Sequence, residues 1–568
     1  MSRAPLRKIR LGDLLVEQGV ITGEQLAIAL DEQKRSGRKL GGTLIALGFV
    51  SEDRLLALLA EQLGVEVVDL SHYRYKPEVV TTIPEQLARR YRVILLDNSP
   101  KQSVIGMADP TDLFAYDEAC RLLGHAADIV LVREADMLRV FDNSYRHSSE
   151  IASLARDIGK DANENDIDRL LKVDDVADAP VVRLLHSLLE EAVARRASDI
   201  HIEPDEHVLR IRLRIDGMLH EQVVPDRRIA PSVVSRVKLM ASVDISERRL
   251  PQDGRFNLMV KGTSLDVRLS TMPTQHGESV VMRLLEHDPS RYQLEKLGMP
   301  PHILARFRHQ LHHPHGLILV TGPTGSGKTT TLYTTLKELA TPEVNICTIE
   351  DPVELVEPSF NQMQVQHNIG LDFASGVRTL LRQDPDIIMV GEIRDRETAE
   401  MAVQAALTGH LVFSTLHTND ASSAITRLLE IGVPPYLIKA TVLGVLGQRL
   451  VRTLCPHCKE TAPLDDDLWQ SLVAPWKVNR PAGVSRPVGC LECRQTGYRG
   501  RVGVYEMLEM TPALKALVTA DCDIARLRRQ AISDGMRPLR LNGAQKVANG
   551  VTTIEEVLKV APPETLET

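Results

Sequence analysis

Residues 322–329 read Gly-Pro-Thr-Gly-Ser-Gly-Lys-Thr, directly after the apolar run Leu317–Val320 and before a helical run from Thr330. Glycines at this spacing let consecutive backbone N–H groups turn inward around phosphate oxygens. A helix that starts there adds the positive end of its dipole. In such a loop Lys328 reaches the β- and γ-phosphates and the Thr329 hydroxyl ligates Mg²⁺. The candidate ATP-binding set is Gly322, Pro323, Thr324, Gly325, Ser326, Gly327, Lys328, Thr329 and Thr330, with ATP and Mg²⁺ as the expected ligands. A glycine-rich loop that holds nothing is the bland alternative, and the strand–loop–helix setting speaks against it.

Hydrolysis also needs acids at the ends of neighbouring strands. In Asp386-Ile-Ile-Met-Val-Gly-Glu392 four apolar residues predict a buried strand, and Glu392 falls at its carboxyl end, where α/β sheets bind ligands. A second acidic strand end, Thr348-Ile-Glu350-Asp351-Pro352-Val-Glu354, offers Glu350 and Glu354 to position or deprotonate the attacking water. A structural salt bridge is the rival for each. His410 and His417 bracket a further apolar run, and a histidine at a strand end can sense the γ-phosphate or simply pack. Arg210, Arg212 and Arg214 alternate with apolar residues along one predicted strand, and Arg249, Arg255 and Arg268 follow. In oligomeric ATPases such arginines often reach a neighbour's γ-phosphate; a solvated strand face is the alternative.

Of seven cysteines, Cys120, Cys347 and Cys522 stand alone, while Cys455-Pro-His-Cys458 and Cys490-Leu-Glu-Cys493 form two close pairs with 31 residues between them. Four thiolates suit a closed tetrahedral zinc site, which is structural rather than catalytic. His457 lies inside the first pair, but four sulfurs already complete the shell.

The elements that position these groups are legible as periods. From about Leu311 short apolar runs (Leu317–Val320, Ile346–Ile349, Ile387–Val390, Leu411–Ser414) alternate with helical stretches, which predicts a mostly parallel sheet covered by helices. Before it, Pro180–Ala197 reads as an amphipathic helix leading into alternating strands such as 208–215, with a hairpin turn at Asp216-Gly217. At the start, residues 10–33 and 39–62 align without gaps with 8 of 24 positions identical, each unit a short helix, a Gly stop and a capped second helix. A mixed α/β stretch follows to about Tyr145. Residues 161–178 hold seven acids against two bases and mark a boundary. Thr553 and Glu556 fit a capping box ahead of the last helix.

The chain has 568 residues, enough for about four domains. The expected division is 1–150, an acidic linker 151–178, an α/β domain 179–295, the motor 299–452, a tetracysteine element 453–503 and a helical region 504–568. With 43% hydrophobic and 25% charged residues, global disorder is excluded. No window supplies the ~20 apolar residues of a spanning helix. The basic N-terminus has no apolar segment of a secretory signal, so a cytoplasmic location is expected. A net charge of −8 and 4% aromatics argue against a nucleic-acid translocase and for no nucleic-acid partner. The intact Lys328, Thr329, Glu392 and Glu354 argue against an adaptor with a dead nucleotide site.

Taken in order, these segments resemble the secretion ATPase superfamily that powers type II secretion and type IV pilus assembly. The glycine loop corresponds to its Walker A, 349–354 (IEDPVE) to its Asp box, 384–395 (DPDIIMVGEIRD) to an atypical Walker B ending in Glu392, and 407–420 (LTGHLVFSTLHTND) to its His box. SDIHIEP at 198–204 and PQDGR at 251–255 match segments of the domain before the motor, and the cysteine pairs match the zinc element of the assembly branch. The resemblance implies a RecA-like P-loop core behind a mixed α/β domain, a helical repeat module at the N-terminus and a zinc-binding C-terminal insertion. It implies a homohexamer with ATP between protomers, Glu354 or Glu350 near the hydrolytic water, and arginines of the preceding domain completing the site, with Arg210, Arg212 and Arg214 equally placed. Partners would be cytoplasmic domains of inner-membrane platform proteins, with the chain peripheral at the inner membrane. The relatively short zinc loop resembles the type II secretion branch; pilus assembly is the alternative. The repeat resembles a tandem module that binds cyclic di-GMP, which places that ligand on Arg10, Leu11, Gly12, Leu15, Lys39, Leu40, Gly41 and Leu44. A helical adaptor without a nucleotide is the rival reading.

Overall fold

The chain was analysed as a computed structural model, which describes residues 11–37, 40–99, 102–110, 112–145, 180–223, 226–286 and 292–562. Arg10, Lys39 and the acidic linker of 151–178 lie outside these.

The repeat is real as structure. Its first unit is a pair of helices, Leu11–Glu17 and Gly23–Ser36, and its second is Leu40–Ala46 and Glu52–Leu63. Each second helix starts at a hydroxyl. Thr22 and Gln25 exchange side-chain and backbone hydrogen bonds in a capping box, and the Ser51 hydroxyl accepts from the Arg54 N–H. Gly19 and Gly48 take left-handed φ of 68° and 71° at the equivalent stops, a conformation that costs other residues more. Leu15 and Leu44, equivalent in the two units, are fully buried in one core with Ile21, Val50, Leu55 and Leu58.

Next comes a four-stranded sheet in the order Glu66–Val67, Asp128–Leu131, Gln102–Met107, Val93–Ser99, with only the last pair antiparallel. Beyond the linker, helix Pro180–Ala194 packs on a six-stranded antiparallel sheet. Its order is Met218–Val223, Leu209–Ile215, Ala197–Pro204, Gly277–Glu286, Thr263–Thr274, Gln252–Val260. Leu209, Ile211 and Leu213 are fully buried, so the period of two puts Arg210, Arg212 and Arg214 on the opposite face.

The motor is a seven-stranded sheet in the order Asn361–Gln364, Ile346–Glu350, Ile387–Val390, Leu411–Leu416, Gly316–Thr321, Val442–Leu454, Tyr498–Glu509. Six strands run parallel and the last is antiparallel. The inner strands are apolar and buried on both faces, as a sheet covered twice requires.

The strands Val442–Leu454 and Tyr498–Glu509 pair with each other, Val451 opposite Val502 and Leu454 opposite Tyr498. The sequence boundaries at 452/453 and 503/504 therefore fall inside two adjacent strands of the motor sheet. The returning strand has its own buried run, Val504–Leu508, and ladder groups that need an edge to pair with. The tetracysteine element is thus an excursion between two strands of the motor. Four helices close the chain: Pro512–Leu517, Ile524–Ser533, Leu539–Ala548 and Ile554–Val560. The expected capping box of the last is half present. Thr553 accepts from the Glu556 N–H, but the Glu556 carboxylate turns to Arg452, at 2.6 and 2.9 Å, and to Lys559. Among the described residues no helix is long and apolar enough to cross a membrane.

Candidate active site

Strand Gly316–Thr321 ends at the glycine loop, and helix Lys328–Leu339 starts on its far side. Gly325 and Gly327 adopt left-handed φ of 77° and 87°. At Gly322 the constraint is space, since a Cβ would lie 2.5 Å from the Gln448 carbonyl. The floor of the loop is Gln448, on the neighbouring strand. Its amide donates to the Ser326 carbonyl at 2.8 Å and its Oε1 accepts from the Thr331 hydroxyl at 2.7 Å.

Lys328 is 8% exposed, and its Nζ donates to the loop carbonyls of Gly322 (2.8 Å) and Pro323 (3.2 Å). Burial pulls its pKa down to about 8, against the pull of the Glu392 carboxylate in the other direction. The Ser326 hydroxyl is buried and has no hydrogen-bond partner. A cationic amine, an orphaned hydroxyl and a helix N-terminus on one glycine loop fit a polyphosphate and its Mg²⁺. Thr329 is half-buried, while Pro323, Thr324, Gly325 and Thr330 are exposed.

The acids reach the same edge of the sheet by register. Strand Leu411–Leu416 lies between Ile387–Val390 and Gly316–Thr321, with Val390 opposite Ser414 and Thr321 opposite Leu416. Glu392 thus emerges at the level where the glycine loop begins. It accepts from His417 Nε2 at 3.0 Å and pairs with Arg394. The Thr415 hydroxyl fixes the turn by donating to the Gly391 carbonyl at 2.8 Å. His410, by contrast, lies at the start of its strand, with Nδ1 beside the Ala405 carbonyl at 3.0 Å.

The two acids of the other strand end differ. Glu350 is 4% exposed and accepts from the Tyr333 hydroxyl (2.7 Å), the Thr348 hydroxyl (2.7 Å) and the Gln362 amide (3.3 Å). Burial pushes its pKa up, and these hydrogen bonds offset part of the push. The Glu354 side chain is 41% exposed, with Arg268 Nη1 at 3.9 Å. Arg268 also donates to the Val353 carbonyl at 2.7 Å, joining the middle domain to this turn.

The predicted arginine row is paired inside its own sheet. Arg210 donates to Asp205 at 2.9 Å and Arg212 to Glu203 at 2.7 Å, while Arg214 lies 3.6 Å from Asp199. Arg255 is paired with Asp266. Sequence reasoning missed Gln448, Tyr333 and Arg394, and it missed Arg449. That buried arginine donates to the carbonyls of Asn419 (2.5 Å) and Gln448 (3.0 Å), tying the His-box turn to the strand under the glycine loop. The signal for Gln448 and Arg449 was available: two polar residues inside an otherwise apolar run on a strand beside the loop.

The four cysteines converge as their spacing predicts. All are buried, with Sγ···Sγ distances of 3.8 Å (Cys455–Cys490), 3.7 Å (Cys458–Cys493) and 3.7 Å (Cys490–Cys493). Bonds of about 2.3 Å from a tetrahedral zinc to sulfur give an edge of about 3.8 Å. Backbone N–H groups of Gly489, Cys490 and Gly497 point at Cys458 and Cys493 sulfurs from 3.2–3.3 Å, as thiolates require. The cluster therefore fits zinc. It also abuts the N-terminal domain. Leu491 packs in that domain's core and its N–H donates to the Ser71 carbonyl at 3.1 Å; Arg74 donates to the Val488 carbonyl at 2.7 Å.

Comparison with known proteins agrees with this geometry. The chain is 42% identical over 565 residues to the type IV pilus assembly ATPase PilB of Myxococcus xanthus, covering 98% of this chain and 99% of that one. It is 44% identical to the type II secretion system ATPase E of Vibrio cholerae, covering 85% and 97%. The X-ray structure of the Legionella pneumophila ATPase DotB superposes with a TM-score of 0.50 at 21% identity, covering 67% of this chain and 95% of that one, a likeness of fold. The MshEN domain family matches residues 63–151. The family described as type II/IV secretion system protein matches residues 174–559, and the chain belongs to it: it is an ATP-hydrolysing enzyme built on a RecA-like P-loop core.

Proposed function

We propose that the chain is a hexameric motor that turns ATP hydrolysis into work on a cell-envelope machine. The observation that carries this is the one end of the motor sheet where Lys328, Glu392 and His417 lie together at the glycine loop, with Glu354 beyond the end of the nearby strand Ile346–Glu350. In this reading the loop N–H groups and Lys328 hold the phosphates and Thr329 ligates Mg²⁺. Glu392 and His417 act on the metal or the water, and Glu354 takes the water's proton. Glu350, held by Tyr333 and Thr348, positions the strand end. Arginines of the middle domain, among Arg210, Arg212 and Arg214, complete a neighbour's site. Zinc on Cys455, Cys458, Cys490 and Cys493 holds the excursion together. The motor is cytoplasmic, and it meets the inner membrane through platform-protein domains.

The short cysteine-to-cysteine loop favours type II protein secretion as the work performed. A second reading, type IV pilus assembly, is favoured by the relative whose match runs from end to end of both chains. Cyclic di-GMP binding by the N-terminal repeat is part of the proposal, supported by the twice-repeated pattern around Gly12 and Gly41. Leu15 and Leu44 would have to leave the repeat core to meet a base; Leu40 is half-buried.

Deleting the gene and scoring exoprotein release against pilus extension separates the two readings. Loss of release alone supports secretion and loss of extension alone supports assembly. If both processes persist, the motor proposal fails.

A further inference from the structure

A cavity of about 430 Å³ lies where the N-terminal domain, the middle domain and the tetracysteine excursion meet. Six arginines line it: Arg139, Arg195, Arg196, Arg452, Arg494 and Arg499. Only three carboxylates accompany them, in a chain whose net charge is −8. None of its lining residues belongs to the glycine loop or to the helical repeat.

The three carboxylates are each engaged elsewhere or shared, and the cavity also meets the tetracysteine cluster through Cys493, a cluster that four thiolates and a zinc leave doubly negative. Asp142 accepts from Arg89 at 2.8 Å and Asp216 from the Gly500 N–H at 2.8 Å. Glu492 is shared between Arg139 and Arg499. Arg452 is held by Glu556, and Arg195 by the buried Glu191. Arg494 shares the field of the buried Glu191 with Arg195. Arg494 has a buried Nη1 without a hydrogen-bond partner, and Arg196 makes no ion pair among the described residues. A buried donor without an acceptor is costly, and a turn of the guanidinium toward an anion in the cavity removes the cost.

Turns bring these groups together, Asp216 as part of its hairpin turn and Arg196 just after helix Pro180–Ala194. Of eight non-glycine residues with left-handed φ among the described residues, three line this cavity: Arg196 at 53°, Asp216 at 49° and Arg494 at 53°.

We propose that this three-domain cavity binds a phosphate-bearing small anion of oligophosphate or nucleotide size. The volume falls in the range of small-ligand sites. Several guanidiniums converging on one cavity match a multiply charged phosphate better than a single carboxylate, because planar N–H forks bind phosphate oxygens in pairs. Since all three parts contribute lining, the anion stabilises their docked arrangement by mass action.

The test uses the full chain with its glycine loop saturated by Mg²⁺ and a non-hydrolysable ATP analogue. Sodium tripolyphosphate and GDP are titrated separately by calorimetry. One saturable site is expected, weakened at least about tenfold by Arg494→Gln and by Arg196→Gln. Zinc content and affinity for the analogue should be unchanged. Tighter tripolyphosphate points to an inorganic source and tighter GDP to a nucleotide. Arg196 is exposed, so its variant decides the matter if Arg494→Gln loses zinc. Absence of saturable binding by either probe, or unchanged affinity in Arg196→Gln, overturns the proposal.

Discussion

The two large sheets of this molecule carry their charges in opposite ways. The antiparallel middle sheet displays Arg210, Arg212 and Arg214 on a face, and strand Ala197–Pro204 runs beside them with Glu203 opposite Arg210 and Asp199 opposite Arg214. A residue on a sheet face always has a neighbour about 5 Å away across the ladder, and there the neighbours are acids. The parallel motor sheet has no charged side chain along strands Gly316–Thr321, Ile387–Val390 and Leu411–Leu416. Lys328 and Glu392 lie past the ends of those strands, and Glu354 past the end of the nearby Ile346–Glu350. Past the last rung the partners come from turns and loops: Glu392 meets His417 and Arg394, Glu354 faces Arg268, and Lys328 donates to loop carbonyls. A face charge must be won from its partner before it can do chemistry.

The largest expected effect tests that contrast directly. Lys328→Ala should lower kcat/KM for ATP by roughly 10²–10³-fold, the scale on which lost stabilisation of transferring phosphoryl charge is felt. Alanine at any one of Arg210, Arg212 or Arg214 should cost about tenfold or less, and in kcat rather than KM, because each is already engaged by an acid of its own sheet. Steady-state kinetics on the assembled oligomer reads both. An arginine loss as large as that at Lys328 would break the comparison.

The second test lies within one strand end. Glu354→Gln should reduce kcat by about 10²-fold, as removal of a general base does. Glu350→Gln should reduce it by less than about tenfold. Its oxygen can still accept from Tyr333, and the carboxyl it replaces is one that burial already presses toward neutrality. If the two variants exchange magnitudes, the exposed acid is the positioning group and the buried one does the chemistry.

Why some of this was legible and some was not follows from the same contrast. The glycine loop, the acid at 392 and the cysteine pairs are local patterns. Their chemistry is set by residues within a few positions, and each emerged where its spacing placed it. The four apolar runs predicted for the motor are four neighbouring parallel strands, because burial on both faces leaves a continuous apolar signature. What pairs with what across the chain is not local. Gln448 lies 122 residues from the carbonyl it supports, and Arg268 lies 85 residues from the carbonyl it grips. The end of the motor was also misplaced, since nothing in the tetracysteine segment announces that the chain returns to the same sheet after it. The arginine row was visible as a row, but its acids sit on another strand.

The smallest expected effect concerns a proton. Burial lowers Lys328 from its ordinary 10.5 to about 8. Between those values the folded chain holds fewer protons than the unfolded one, so this group's contribution to stability rises with pH across that window. Its burial is a penalty borne at neutral pH, where the amine is charged. A phosphate beside Nζ favours the charged amine and lifts its pKa again. Nucleotide binding should therefore take up a fraction of a proton near pH 8.5 and almost none near pH 6.5, where the amine is charged before and after. Calorimetry at each pH in two buffers of different ionisation enthalpy measures the uptake. Lys328→Arg should remove the pH 8.5 component, since a guanidinium stays charged throughout. Uptake that persists in that variant would move the proton to another group. The glycine-loop lysine would then be charged at all working pH, no different in this respect from the paired arginines of the middle sheet.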